Sequence, residues 1–275
     1  MKTIIVPTDF SPTATNAMHY AIHMAAQVKA NVVLAHMYQV PVSYTDAPIV
    51  LVSVEELRKA ATARMQQLKE EVQHLVGPET KIYIEVILGS VVDELENLCD
   101  KIKPFAVVMG TKGASGLERV LFGSNALMAI RRLTWPVICV PPGKTYGKGI
   151  KKIGFACDFE KVVDSTPAPA IKSFVKSFGA HLDVLNINPD GKTREDEMPE
   201  QSLLLQTMLS DLKPAFHFIQ HRDIEDGINE FAINNELDLV ITIPKKHNLI
   251  EKIFKETSSK QLIYHGNVPI LCMHE

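Results

Sequence analysis

The residues best suited to chemistry lie at Gly110-Thr111-Lys112-Gly113-Ala114-Ser115-Gly116-Leu117-Glu118-Arg119-Val120-Leu121-Phe122-Gly123-Ser124-Asn125, directly after the apolar run Val107-Val108-Met109. Glycine lets a backbone take positive φ and lets a ligand approach where a Cβ would collide. Gly123-Ser124-Asn125 opens a helical pattern, and the free N–H groups and positive dipole end of a helix start favour an anion. Lys112 and Arg119 add positive charge to the same segment. Together these features suit a phosphate group. Composition alone leaves a plain flexible turn with incidental glycines equally open. The second candidate is Asp9 in Pro7-Thr8-Asp9, at the end of the first apolar run. Its carboxylate either meets a ligand or caps the helix entered at Ser11-Pro12.

Other constellations carry less. Gly143-Lys144-Thr145 looks like the end of a P-loop, but Ile138 stands where the first glycine belongs, and the segment follows Pro141-Pro142 rather than joining strand to helix. His19 and His23 lie one helical turn apart without a recognisable third metal ligand, so a solvated helix face is the simpler expectation. His217 and His221 share a strand face and are read the same way, and Glu195-Asp196-Glu197 reads as a solvent-exposed loop. No metal site and no catalytic residue is predicted, because no GxSxG, HExxH or kinase-like set is present. The four cysteines, Cys99, Cys139, Cys157 and Cys272, are far apart and read as reduced, mostly buried thiols.

The elements that must position these residues follow from periodicity. Thr3–Val6 is apolar throughout, as in a strand buried on both faces. Ser11-Pro12 supplies an N-cap and a first-turn proline, and Ala14, Met18, Ala21, Ile22, Ala25 and Val28 continue at helical spacing. Then come a strand at Val32–Met37, a helix at Val54–Val76 closed by Gly77-Pro78, and an alternating strand at Lys81–Ile87. A helix at Val91–Ile102, a strand at Phe105–Met109, a helix at Ser124–Leu133 and a strand at Val137–Val140 complete the series. Strands alternating with helices require long crossovers, hence a parallel sheet with helices on both faces.

The pattern then returns. Ile4-Ile5-Val6-Pro7-Thr8-Asp9-Phe10 is matched by Gly154-Phe155-Ala156-Cys157-Asp158-Phe159, Ala30–His36 by Ala180–Asn186, and Trp135–Val140 by Val268–Met273. The second copy is shorter, with the deficit between its second and third strands. Gly143-Lys144-Thr145-Tyr146-Gly147-Lys148-Gly149 has the composition of a linker. Two domains are therefore expected, 1–143 and 150–275, within the 275 residues. A formal net charge of −3, with 46% apolar and 22% charged residues, excludes a disordered chain and argues against a general nucleic-acid or membrane-surface binder. No apolar run is long enough to span a bilayer. The N-terminus turns acidic too soon for a secretory signal, so a cytoplasmic location is expected.

The spacing Gly-x2-Gly-x9-Gly-Ser at Gly110, Gly113, Gly123 and Ser124, with Pro7-Thr8-Asp9 before it and Trp135–Pro142 after it, resembles the universal stress protein family. The likeness is strong over 1–143 and weak over 150–275, as in a tandem member. The resemblance implies two Rossmann-like, adenine nucleotide alpha hydrolase-like α/β domains. Each would hold a five-stranded parallel sheet of order 3-2-1-4-5 with helices on both faces. It also implies ATP, with or without magnesium, in the crevice where strand order reverses, a place the general rule for open α/β sheets supports. By resemblance, Asp9 would bond the adenosine portion with Thr8 on the same wall, and the backbone at Met37, after His36, would read the adenine edge. Met109, Gly110 and Gly113 would wrap the ribose and phosphates, and Gly123, Ser124 and Asn125 would hold the phosphates. His36 itself reads as a satisfied strand-end histidine.

The second copy departs from this pattern. Ile243, Lys246, Glu256 and Thr257 stand where the first has Gly110, Gly113, Gly123 and Ser124, and Asp158 alone survives. A carboxylate at a helix start competes for the N–H groups that a phosphate would use. One nucleotide per chain is thus expected, in the first copy. The family's dimerising last strand would pair within the chain as a pseudo-dimer, with a further homodimer left open. A cytoplasmic ATP-binding stress regulator is preferred; a slow ATP-hydrolysing enzyme and a nucleotide-free assembly module are the alternatives.

Overall fold

In the computed structural model, residues 1–40, 53–111, 123–188, 198–244 and 268–274 are described. The first half contains β1 (Lys2–Pro7), α1 (Pro12–Val28), β2 (Ala30–Tyr38), α2 (Val54–Gln73), β3 (Ile82–Leu88), α3 (Val91–Ile102), β4 (Ala106–Gly110), α4 (Ser124–Arg132) and β5 (Val137–Val140). The second contains β6 (Lys152–Ala156), α5 (Val162–Ser165), α6 (Ala168–Phe178), β7 (His181–Asn188), α7 (Met198–Met208), β8 (Ala215–Gln220), α8 (Ile224–Asn234), β9 (Leu239–Thr242) and β10 (Ile270–Cys272). A 3₁₀ turn at Ser210–Leu212 follows α7.

The ten strands among the described residues join one sheet of order β3-β2-β1-β4-β5-β10-β9-β6-β7-β8. Each half therefore runs 3-2-1-4-5, the second in mirror sequence across the middle. Pairing is parallel within each half, and the halves meet at an antiparallel ladder where Ile138 faces Leu271. The register of β1 on β2 places Ile4 beside Val32, and that of β6 on β7 places Ile153 beside Leu182. Ile4 also faces Ala106 of β4, as Ile153 faces Leu239 of β9.

The alternation of strand side chains divides the core. Ile4, Val6, Val32, Leu34, Ala106 and Val108 face α1 and α2, in a buried cluster that continues through Ile153, Phe155 and the α6 residues Ile171, Phe174 and Val175. Ile5, Val33, Val107, Met109 and Cys139 face α3 and α4 on the other side. Two of the first-half helices begin at side-chain caps. Ser11 accepts from Ala14 N–H, with Pro12 in the first turn, and Ser53 forms a capping box with Glu56. The α2 helix ends at Gln73, a turn earlier than its periodicity suggests, and Leu75 and Val76 pack on the core from the turn that follows.

The glycine-rich linker segment after β5 is held in place by α1 side chains. Asn16 Nδ2 donates to Pro141 O and Lys144 O, and Gln27 binds Ile150 through both N–H and C=O. Among the described residues, no helix is long and apolar enough to cross a membrane.

Candidate functional site

The turn leaving β1 is held by its own polar groups. Thr8 N–H donates to Ala35 O at 2.9 Å, Thr8 Oγ1 accepts from Phe10 N–H at 3.1 Å, and His36 Nδ1 donates to Thr8 O at 2.8 Å. Thr8 is buried in consequence, and His36 is satisfied as a strand-end residue. Phe10 sits at φ 62°, a left-handed position that a non-glycine residue holds only when its surroundings compensate. Its ring packs against His36 with centroids 4.5 Å apart. Asp9 Oδ1 accepts from Ser11 N–H at 3.0 Å, and the residue is exposed on the cavity wall. Asp9 thus turns the chain and faces the cavity at once.

Across the crevice, Gly110 ends β4. Neither Gly110 nor Gly123 has positive φ, so the expected left-handed turn is not made at these two glycines. A Cβ at Gly110 would lie 2.8 Å from Thr13 Cγ2 and 2.9 Å from Thr13 O. Glycine there permits β4 to meet the first turn of α1. Gly123, at φ −67° and ψ 158°, is the N-cap of α4 and leaves the helix start without a side-chain cap. Its own N–H donates to Thr111 O at 2.6 Å, tying the helix start to the end of β4. Gly113, Lys112 and Arg119 lie outside the described residues.

Between these walls is a cavity of about 260 Å³, near the lower end of small-molecule pockets, which begin at roughly 300 Å³. It brings together Thr8, Asp9, Met37, Met109, Gly110, Gly123, Ser124 and Asn125, every described residue predicted for the site. It also includes Pro7, Ala14, Val91, Thr111 and Ala126, which motif spacing does not single out. Ala14 and Val91 are small or apolar residues in the first turns of α1 and α3. Strand order 3-2-1-4-5 brings those helix starts to the same end of the sheet, and that was the available signal. Chemically, the cavity offers apolar lining from Met37, Val91 and Met109, the Asp9 carboxylate, hydroxyls from Thr8, Thr111 and Ser124, and a helix start with a glycine N-cap suited to an anion.

The corresponding place in the second half holds about 70 Å³. Asp158 lines it with Cys157, Ser165, Thr166 and Thr242, and Ile243 occupies the position matching Gly110. Ile243 is buried and belongs to the core cluster. Lys246, Glu256 and Thr257 lie outside the described residues, as do Glu195, Asp196 and Glu197. At the start of α8, Asp223 caps by accepting from Glu225 and Asp226 N–H. Burial, and then the charges of Asp223 and Asp226, push the half-buried Glu225 carboxyl up to about 8.

The remaining polar candidates settle locally. His19 and His23 are exposed on α1, and burial, followed by His23 and His74, lowers the His19 pKa. His217 and His221 do not form a solvated face. His217 Nε2 lies 2.7 Å from Oδ1 of the buried Asp183, with His181 Nε2 at 3.6 Å from the same oxygen. His221 lies just beyond β8, where its Nδ1 accepts from Asp223 N–H at 3.1 Å. All four cysteines are free. Burial pushes the thiols of Cys99 and Cys272 up to about 12. Among the described residues, no group of three or more His, Cys, Asp or Glu side chains is placed to hold a metal ion.

Residues 1–141 match the family model described as Universal stress protein family. Universal stress protein MJ0531 of Methanocaldococcus jannaschii is 31% identical over 150 residues, covering 52% of this chain and 84% of that protein. In three dimensions, the crystal structure of a universal stress protein from Archaeoglobus fulgidus DSM 4304 aligns over 99% of this chain and 98% of its own. The TM-score of that match is 0.71 at 15% identity. A functionally unknown protein from Pseudomonas aeruginosa PAO1 aligns over 100% and 92%, with a TM-score of 0.60 at 11% identity. At such identities the two structures speak for the fold alone, and the sequence matches carry the assignment: this chain belongs to the universal stress protein family.

Proposed function

We propose that the chain is a cytoplasmic ATP-binding stress-response regulator that holds one nucleotide, in its first half. The contrast between the two cavities carries this reading. The first has about 260 Å³ between Asp9 and an uncapped helix start, whereas the second has about 70 Å³ with Ile243 beside it. The residues present fit an adenine nucleotide. Asp9 and the backbone at Met37 are suited to the nucleoside, and Met109 and Gly110 to the ribose. Gly123, Ser124 and Asn125 would take the phosphates, because the N-cap residue of α4 is a glycine that offers its N–H groups no side-chain cap. Gly113 is assigned to the ribose and phosphates by its motif position, with or without magnesium. The proposed limits are 1–143 for the nucleotide domain and 150–275 for a degenerate partner domain. In this reading the second domain acts as a covalent pseudo-dimer partner through the β5–β10 ladder.

The test is mass spectrometry of small molecules that co-purify with the chain, followed by calorimetric titration with ATP. One equivalent of adenine nucleotide per chain is expected. Two equivalents would overturn the single-site reading, and no nucleotide together with no response to added ATP would overturn the function.

A further inference from the structure

Helix α1 borders the cavity at one end and the second half at the other. Ala14 belongs to the cavity wall, and Thr13 lies against Gly110. At 3.6 residues per turn, Asn16, Tyr20 and Gln27 fall within about 40° of one another on the helix surface. All three grip the segment that follows β5. Asn16 Nδ2 donates to Pro141 O at 3.1 Å and to Lys144 O at 3.2 Å. The Tyr20 ring meets Tyr146 edge-on, with centroids 4.9 Å apart.

Gln27 completes the connection. Its Oε1 accepts from the Tyr146 hydroxyl and from Ile150 N–H at 3.1 Å, and its Nε2 donates to Ile150 O at 3.1 Å and Phe178 O at 3.4 Å. Phe178 is the last residue of α6. Gly149, at φ +91°, leaves room for this amide, since a Cβ there would stand 2.6 Å from Gln27 Oε1. Nearby, Phe105 stacks on Phe174 of α6 at 5.2 Å, and Lys2 Nζ donates to Ser177 Oγ at 2.7 Å.

We propose that α1 transmits occupancy of the first cavity to the second half, so that a ligand bound there also orders the linker and the end of α6. This regulation rests on the nucleotide reading of the same cavity. A ligand that fixes the β1–α1 turn and the Gly110 seam restricts the first turn of a helix. The rest of that rigid rod cannot shift without carrying Asn16 and Gln27 with it. Ordering one end lowers the entropic cost of ordering the other. Such coupling is reciprocal, so loosening the linker contacts must also weaken the ligand.

Hydrogen exchange on the full chain, with and without ATP, tests it. In the wild type, ATP slows exchange at the β1–α1 turn and the start of α4. It also slows Ile150 and the last turn of α6 about fivefold or more. At ATP concentrations that saturate each variant, the cavity segments of Gln27→Ala, and of the gentler Tyr146→Phe, remain protected while the protection of α6 is lost. Wild-type α6 that exchanges equally fast with and without ATP, beside protected cavity segments, overturns the coupling. So does α6 protection that survives both substitutions. Cavity segments that ATP leaves unprotected would bring down the nucleotide reading and the coupling with it, an outcome distinguished by those segments alone.

Discussion

At the end of β1, Thr8 N–H donates to Ala35 O, and at the end of β6, Cys157 N–H donates to Leu185 O, both at 2.9 Å. Phe10 and Phe159 follow at φ 62° and 53°, and Asp9 and Asp158 each accept from the N–H two residues on at 3.0 Å. His36 and Asn186 each donate to the carbonyl that precedes the aspartate. The turn is thus built twice with the same hydrogen bonds, yet the adjoining spaces differ, at about 260 and 70 Å³. The difference arises on the far wall. Gly110 lets the unbroken helix α1 lie close to β4, whereas Ile243 fills that position in the second half. There the helix is broken into α5 and α6 around Thr166-Pro167. Turn geometry alone is therefore not what makes the larger cavity; among the described residues the halves differ at the end of the fourth strand and in the helix that follows the first.

Exchanging the residue at the end of the fourth strand gives the largest expected effect. Gly110→Ile puts a side chain where even a Cβ lies 2.9 Å from the Thr13 carbonyl oxygen, which the helix backbone cannot move aside cheaply. Overpacking of this kind costs about 3 kcal/mol, and ATP binding should be lost with it. Urea denaturation and calorimetry check both, and an unchanged ATP affinity would break the comparison. The reverse exchange, Ile243→Ala, removes buried side-chain volume from the core cluster at a cost of about 2 kcal/mol. It should enlarge the second cavity without creating a nucleotide site; gain of a second ATP equivalent would show that Ile243 alone had closed it.

Much of this was legible from residue order. The first-half strands β1, β2 and β4 alternate between two core clusters as their apolar pattern requires, and Ser11 and Gly123 start the helices they were expected to start. The cavity walls followed from strand order and the glycine spacing. What escaped the sequence depends on neighbours far along the chain. The reason for Gly110 is Thr13, a partner on another element that spacing cannot reveal. Linker composition at Gly143–Gly149 gave no sign that the side chains of Asn16 and Gln27 hold the segment. His217 looked solvated because Asp183 becomes its partner only when β7 and β8 pair. Left-handed Phe10 has no local signature either, since its conformation is supported by packing on His36.

Charge at the helix start sharpens the comparison with a smaller effect. Gly123→Glu imports the residue type that the second half carries at the matching position. Its carboxylate competes for the N–H groups at the start of α4 and repels phosphate. ATP affinity should fall at least about tenfold, or 1.4 kcal/mol, while the thermal midpoint without ligand stays near the wild-type value. Equal affinity in calorimetry would move the phosphates away from α4.

The smallest effect concerns the helices that follow the third strands. Val91 and Ile224 line the two cavities at matching positions, so buried Val92 corresponds to half-buried Glu225. The Glu225 carboxyl titrates near 8 when folded, against 4.5 for the ordinary group, because burial and then Asp223 and Asp226 disfavour its charge. The folded chain therefore keeps a proton that the unfolded chain has lost. The associated stability is complete below about 4.5 and is lost as pH rises through about 8. Because the group is only half-buried, solvent screening reduces the effect to about 1 kcal/mol. Glu225→Gln should accordingly match the wild type at pH 4 and exceed it at pH 9 in urea denaturation. A stability difference that does not change between those two pH values would mean that Glu225 is solvated in the folded chain, and that its replacement of Val92 carries no electrostatic penalty.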